Sequence, residues 1–339
     1  MAANLDAFVS KRSTAHPMIY AYSDSNPAYS GLLKVGFTSV DIDARVAQQY
    51  PTKRPDGSVP YRIVVRESAM LEDGGSFTDR EVHKMLRLKG FECVGGEWFR
   101  CGAEDVVAAV IAVRTGTANV ENRTQSFKMR PEQEKAVNRT TEYYRSAYEE
   151  NSVRAPKFLW NAKMRFGKTF AAYQLAKRMG MTRILILTFK PAVQTAWRDD
   201  LLSHVDFEGW QFISNDSKEK IDSQYQRANK DRPIVCFGSF QDFLGENGTG
   251  GIKAKNEWVH AINWDLVIFD EYHFGAWKEN AKSLFEQDED VFEEDLSRYD
   301  RYDAYDETWL PITTSYYLYL FLLKIRSITG HIPMNSVQN

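Results

Sequence analysis

Two short apolar-aromatic runs, at residues 18–23 and 32–37, flank a stretch rich in Ser, Asn, Pro and Gly, which predicts a β-hairpin. Ser39 is placed to cap a helix in which Ile42, Val46, Gln49 and Tyr50 share one face. Residues 61–65 predict a third strand, and Thr78 caps a second helix with Val82, Met85 and Leu86 on its buried side. A further strand is expected at 97–99 and a closing helix at 105–113, ending near Gly116. Residues 1–16 read as a polar leader, so 17–114 forms one small α+β unit.

The pattern then changes. Residues 115–128 lack aliphatic periodicity and are expected to be a linker. Beyond them a helix begins near Pro131, followed by a strand at 157–161, a loop at 162–169 and a helix through Arg178. Continuously apolar strands at 184–188, 234–237 and 266–269, with helix between them around 197–202, predict a doubly wound parallel sheet. The fold class is therefore α/β, with a second domain over 129–339. The acid- and tyrosine-rich stretch 286–307 reads as a solvated insertion.

Length and composition fit this division. The 339 residues suffice for two domains, and 43% hydrophobic with 26% charged residues is ordinary for a soluble chain. No apolar run approaches the ~18 residues that span a bilayer, and no basic-then-apolar leader is present, so no membrane partner is expected. Cys93, Cys101 and Cys236 are too scattered for a zinc site and read as reduced thiols, which points to the cytoplasm. The net charge of −3 is uneven: residues 1–128 hold 16 basic and 15 acidic side chains, the remainder 27 and 31. Neither balance demands or excludes nucleic acid.

Residues 162–169, AKMRFGKT, fit G-x-x-x-x-G-K-[ST] except that Ala162 replaces the first Gly. A strand that ends in a tight turn and feeds a helix turns backbone N–H groups towards phosphate oxygens. Ala162 and Gly167 would shape that turn, Lys168 would neutralise the β- and γ-phosphates of ATP, and Thr169 would offer its hydroxyl to Mg²⁺. About a hundred residues on, an apolar run leads into Asp270 and Glu271. Asp270 would hold the ion through water, and Glu271 would polarise the attacking water.

These residues resemble the superfamily 2 helicase and translocase ATPases of DEAD/DEAH type, and more narrowly the motor subunits of restriction systems. The resemblance covers 129–339. It implies a first RecA-like domain in which Gln133, within Arg130-Pro131-Glu132-Gln133, reads adenine. It also implies that Thr188-Phe189-Lys190-Pro191 and Ser239-Phe240-Gln241 touch the backbone of double-stranded DNA. Two departures stand out: Phe321-Leu322-Leu323-Lys324 is apolar where the family has a hydroxyl-bearing coupling motif, and the sequence stops at Asn339. On that reading the chain is truncated, the second RecA-like domain and its arginines are missing, and a second chain would supply them.

Residues 17–114 resemble the GIY-YIG nuclease domain, in the phage and bacterial branch that ends in Glu-Trp-Phe. The resemblance rests on Met18-Ile19-Tyr20, Lys34-Val35-Gly36, Arg45 and Glu97-Trp98-Phe99. It implies phosphodiester hydrolysis with Tyr20 as base, Lys34 as the cation that lowers its pKa and Arg45 as the phosphoryl clamp. It also implies one Mg²⁺ or Mn²⁺ at the leaving oxygen. Val82-His83 matches the family's pair after the metal carboxylate, which puts Asp79 at the ligand position; Glu81 and Glu97 are the other candidates. Tyr20 and Tyr22 also read as strand aromatics, and His83 as a satisfied buried histidine. The reading is a DNA endonuclease coupled to an ATP-binding motor in restriction or phage defence. The alternative is a fragment that holds ATP and DNA without turnover.

Overall fold

The computed structural model describes residues 16–52, 54–71, 73–150, 155–188, 191–215, 219–239, 243, 257–270 and 312–322. The chain divides into two compact units; the first runs to Phe127 and includes 203–208.

In the first unit, β1 (Met18–Asp24), β2 (Leu33–Thr38), β3 (Tyr61–Ser68), β4 (Cys93–Gly95) and β5 (Trp98–Phe99) form one sheet in the order β3-β1-β2-β5-β4. All of its pairings are antiparallel. Strand β1 is apolar at every central position because both faces of the sheet are covered. Ile19 and Ala21 pack with Val82 and Leu86 of α2 (Asp79–Leu88) and with Val106, Ala109 and Val110 of α3 (Ala103–Thr115). Tyr20 and Tyr22 turn to the other face, onto Ile42 and Val46 of α1 (Ile42–Ala47). Period-2 alternation here separates two apolar environments rather than core from water.

Three local expectations change. Helix α1 is capped by Asp41, whose carboxylate accepts from Ala44 N at 2.9 Å, and not by Ser39. Ser39 lies inside a turn closed by Thr38, whose hydroxyl exchanges hydrogen bonds with the backbone of Val40. Thr78 does cap α2, but Glu97 falls just outside β5. The expected linker is pinned at two buried residues, Asn119 and Arg123, and the Asn119 amide donates to Ala108 O and Arg123 O at 3.0 and 2.8 Å. Polar side chains replace aliphatic ones as the fastening there, which is why periodicity gives no sign of it.

The second unit holds β6 (Lys157–Ala162), β7 (Arg183–Thr188), β8 (Gln211–Ile213), β9 (Ile234–Ser239), β10 (Asn263–Asp270) and β11 (Thr313–Leu322). Their order is β6-β11-β10-β7-β9-β8, and every pairing is parallel. Helices α4 (Pro131–Glu150), α5 (Lys168–Arg178), α6 (Gln194–Ser203), α7 (Ile221–Arg227) and α8 (Glu257–His260) connect them. Ile184 to Leu187 are wholly buried, as strands covered on both faces must be. This is the expected α/β class: an antiparallel α+β unit followed by a parallel sheet with helices between its strands. The strand not anticipated is β11, which enters between β6 and β10. The acid-rich stretch 286–307 lies outside the described residues. Among the described residues no helix is long and apolar enough to cross a membrane.

Candidate functional site

In the first unit the hairpin places Tyr20 opposite Gly36. A Cβ on Gly36 would lie 2.6 Å from the Tyr20 hydroxyl oxygen, so the phenol lies across a position only glycine can fill. One helix residue gathers the polar groups around it. Gln49, just past α1, donates from Nε2 to the Tyr20 hydroxyl at 2.9 Å, and its Oε1 accepts from the Tyr22 hydroxyl at 2.8 Å and from Lys34 Nζ. Gln49 follows α1, whose Ile42 and Val46 face packs on Tyr20 and Tyr22. Sequence spacing put Gln49 on that face but gave it no role.

Lys34 also pairs with Glu97 at 3.3 Å. Burial raises the pKa of Tyr20, and the Gln49 hydrogen bond and the Arg45 guanidinium oppose that rise. Arg45, exposed on α1, is thus a cation that bears on the Tyr20 hydroxyl, while Lys34 meets Gln49 and Glu97. Tyr22, buried beside Tyr20, is pushed up to about 12. Tyr20 is a neutral phenol at neutral pH.

The metal candidates separate. Glu81 accepts from Thr78 N at 2.8 Å and from the Thr78 hydroxyl at 2.6 Å, closing a capping box at the start of α2. Glu97 holds Lys34, and Asp79 is the first residue of α2. Among the described residues no three His, Cys, Asp or Glu side chains converge as a metal site. The donor set fits a single carboxylate completed by water and substrate oxygens, which suits Mg²⁺. His83 is a core residue: its Nε2 meets Val35 O at 2.8 Å and its ring packs on Phe99.

In the second unit Ala162, Thr188, Ser239 and Asp270 end neighbouring strands, the edge where ligands bind in open α/β sheets. Ala162 leads into a turn in which Arg165 and Gly167 both have left-handed backbone, φ +65° and +74°. Gly167 begins α5 with no side-chain cap, which leaves the first-turn N–H groups of Lys168 and Thr169 for an anion. The Gln133 amide, expected at adenine, is engaged on the phosphate loop itself. Its Nε2 donates to Phe166 O at 2.7 Å and Gly167 O at 3.3 Å, and its Oε1 accepts from Arg130 N at 2.8 Å. Arg130 adds a bond to Arg165 O at 2.7 Å. Gln133 and Arg130 thus brace the phosphate loop from outside.

Asp270 is 5% exposed and its Oδ2 accepts from the Trp197 indole N–H at 2.7 Å. The Thr169 hydroxyl donates to Asp200 Oδ2. Neither Trp197 nor Asp200 was legible as a site residue. A loop nest, an uncapped helix start, a hydroxyl and a buried carboxylate fit a magnesium-bound nucleoside triphosphate. Glu271, Phe189, Lys190, Phe240 and Gln241 lie outside the described residues.

Residues 18–114 match the family model described as the T5orf172 domain, and residues 126–294 match that of the type III restriction enzyme, res subunit. A Mycoplasma pneumoniae protein named as a type II restriction enzyme and methyltransferase, C-terminus, is 38% identical over 136 residues, 39% of this chain and 18% of its own length. The RNA polymerase-associated protein RapA of Yersinia pestis is 24% identical over 140 residues, 40% of this chain and 14% of its own. The chain thus spans under a fifth of the length of these curated relatives. The SWI2/SNF2 ATPase core of Sulfolobus solfataricus, solved with double-stranded DNA, is 15% identical with a TM-score of 0.34, over 57% of this chain and 32% of that one. The chain is thus similar over 18–114 to the T5orf172 domain and over 126–294 to the res subunit of type III restriction enzymes.

Proposed function

We propose that the first unit is a metal-dependent DNA endonuclease of GIY-YIG type, and that the second binds ATP and Mg²⁺ and engages double-stranded DNA in a restriction or defence system. The observation that carries the nuclease reading is the convergence of Tyr20, Lys34, Gln49 and Arg45 on one face of the hairpin.

The residues divide the work of hydrolysis. Gln49 donates to the Tyr20 oxygen, so the phenol's own proton points away from the amide. Water attacks phosphorus, the bond to the leaving oxygen breaks, and the water's proton passes to Tyr20 when that group has ionised. Arg45 faces both the phenolate and the phosphoryl oxygens, where its fixed charge favours the build-up of negative charge. A bound divalent ion supplies Lewis-acid stabilisation of the leaving oxygen. Asp79 or Glu97 is the carboxylate proposed to hold it, since Glu81 is spent on the cap. The test is cleavage of plasmid DNA by the full chain with Mg²⁺ or Mn²⁺ and no ATP. Metal-dependent nicking that Asp79→Ala or Glu97→Ala abolishes supports the reading. DNA binding with no cleavage at any metal concentration contradicts it and leaves the non-catalytic alternative.

For the second unit, Lys168 and the first-turn amides would hold the triphosphate, and Thr169 and Asp270 would organise the ion. Glu271 keeps its proposed role as the group that polarises the attacking water.

A further inference from the structure

Helix α6 reaches the two residues proposed for Mg²⁺ with side chains one turn apart. Trp197 donates its indole N–H to Asp270 Oδ2 at 2.7 Å, and Asp200 accepts the Thr169 hydroxyl proton. Positions i and i+3 lie on one helix face, so a single rigid element addresses both sides of the ion site. The face is fixed from behind: Trp197 is wholly buried, its ring packs edge-on to Tyr173 of α5 at 5.3 Å, and the Tyr173 hydroxyl donates to Trp197 O at 2.9 Å.

We propose that Asp200 and Trp197 are the positioning residues of the ATP metal site, an inference that rests on the ATP-binding reading. A threonine hydroxyl has one proton and two lone pairs. With its proton committed to the Asp200 carboxylate, the Thr169 oxygen keeps its lone pairs for a cation, and the anionic acceptor makes that oxygen a stronger donor. The Trp197 N–H takes Asp270 Oδ2 and fixes the carboxylate's rotation, so that an ion or its water would meet it in one orientation. Neither group touches ATP itself, so their loss weakens the metal-dependent part of binding and spares the rest.

The experiment is calorimetric measurement of ATP affinity by the full chain, in EDTA and across a Mg²⁺ titration. Asp200→Ala is expected to raise the Mg²⁺ concentration for half-maximal tightening by roughly tenfold or more, as loss of such partners does at metal sites. Affinity in EDTA should stay within about twofold. Asp200→Asn keeps an acceptor oxygen and restores most of the Mg²⁺ response; Trp197→Phe keeps the ring, loses the donor and shifts the titration in the same direction as Asp200→Ala. An Asp200→Ala protein with the parental Mg²⁺ dependence overturns the proposal. So does an equal loss with and without Mg²⁺, which marks a purely structural residue, or a tighter Mg²⁺ response, which marks Asp200 as a competitor for Thr169. If Asp200→Ala does not fold, Asp200→Asn and Trp197→Phe decide the matter by the same comparison. A parent chain that binds no ATP in either condition overturns the ATP reading itself, a result distinct from all of these.

Discussion

The Tyr20 ring lies across Gly36, its partner on the neighbouring strand, so closely that a methyl group at Gly36 would sit 2.6 Å from the phenol oxygen. The tyrosine and the glycine of the hairpin are thus one steric unit. Gly36→Ala is expected to destabilise the first unit by about 1–3 kcal/mol, the usual cost of overpacking, and to pull the hydroxyl off Gln49. Chemical denaturation checks this against Tyr20→Ala and the double variant. In the Tyr20→Ala background the added methyl meets no ring, so its cost should largely vanish. An undiminished cost would place the constraint elsewhere.

Gln49 is the only described group that both donates to Tyr20 and accepts from Tyr22 and Lys34. Gln49→Glu keeps the acceptor for Lys34 and Tyr22 but loses the donor to Tyr20. Its melting temperature should stay near that of the parent while DNA cleavage slows by roughly tenfold or more. Equal cleavage rates would show that the orientation of the phenol is immaterial.

The elements were legible where side chains repeat with a period, and the site where it carries a motif. Ile42 and Val46 announced α1, the apolar strands announced the parallel sheet, and the GKT turn announced the phosphate loop. What the sequence hid depends on polar atoms meeting across long separations. Gln49 and Tyr20 are 29 residues apart, and Trp197 and Asp270 are 73 apart; neither pair has a spacing signature. The partners of Lys34 and Gln133 were hidden for a related reason. Each has a competing partner, Glu97 and the Phe166 carbonyl, that only the folded chain brings near. Strand β11 was missed because its run of tyrosines lies far along the sequence from the β6 and β10 it separates.

Buried acids set the alkaline limit of the fold. Burial raises Tyr22 to about 12, and it lifts Tyr144, Tyr173 and Cys236 well above their ordinary values. Each folded pKa exceeds its unfolded value, so the stability these groups contribute is complete below the unfolded pKa. It is lost as pH rises from there towards the folded pKa. Stability should therefore decline from about pH 9 upward, by up to about 1.4 kcal/mol per pH unit for each such group. Urea denaturation between pH 7 and 11 measures this. A flat profile would contradict the burial.

Lys168 and the uncapped start of α5 predict a nucleotide effect on stability. ATP with Mg²⁺ at about a hundred times its Kd should stabilise the second unit by about 2.7 kcal/mol, and Lys168→Ala should abolish the rise in melting temperature. A parent whose melting curve ignores saturating ATP would count against the phosphate loop.

The central claim is that Tyr20 and Arg45 carry out phosphodiester cleavage, and the pH–rate profile of the full chain, with its variants, tests it most directly. Tyr20 ionises above its ordinary value near 10, so the parent rate with Mg²⁺ should rise through the alkaline range without levelling below pH 10, short of unfolding. Tyr20→Phe, which removes only the hydroxyl, and Arg45→Ala should each lower the rate by roughly 10²-fold, with the alkaline rise absent in Tyr20→Phe. A Tyr20→Phe chain that cleaves like the parent, with the same dependence on pH, would contradict the account.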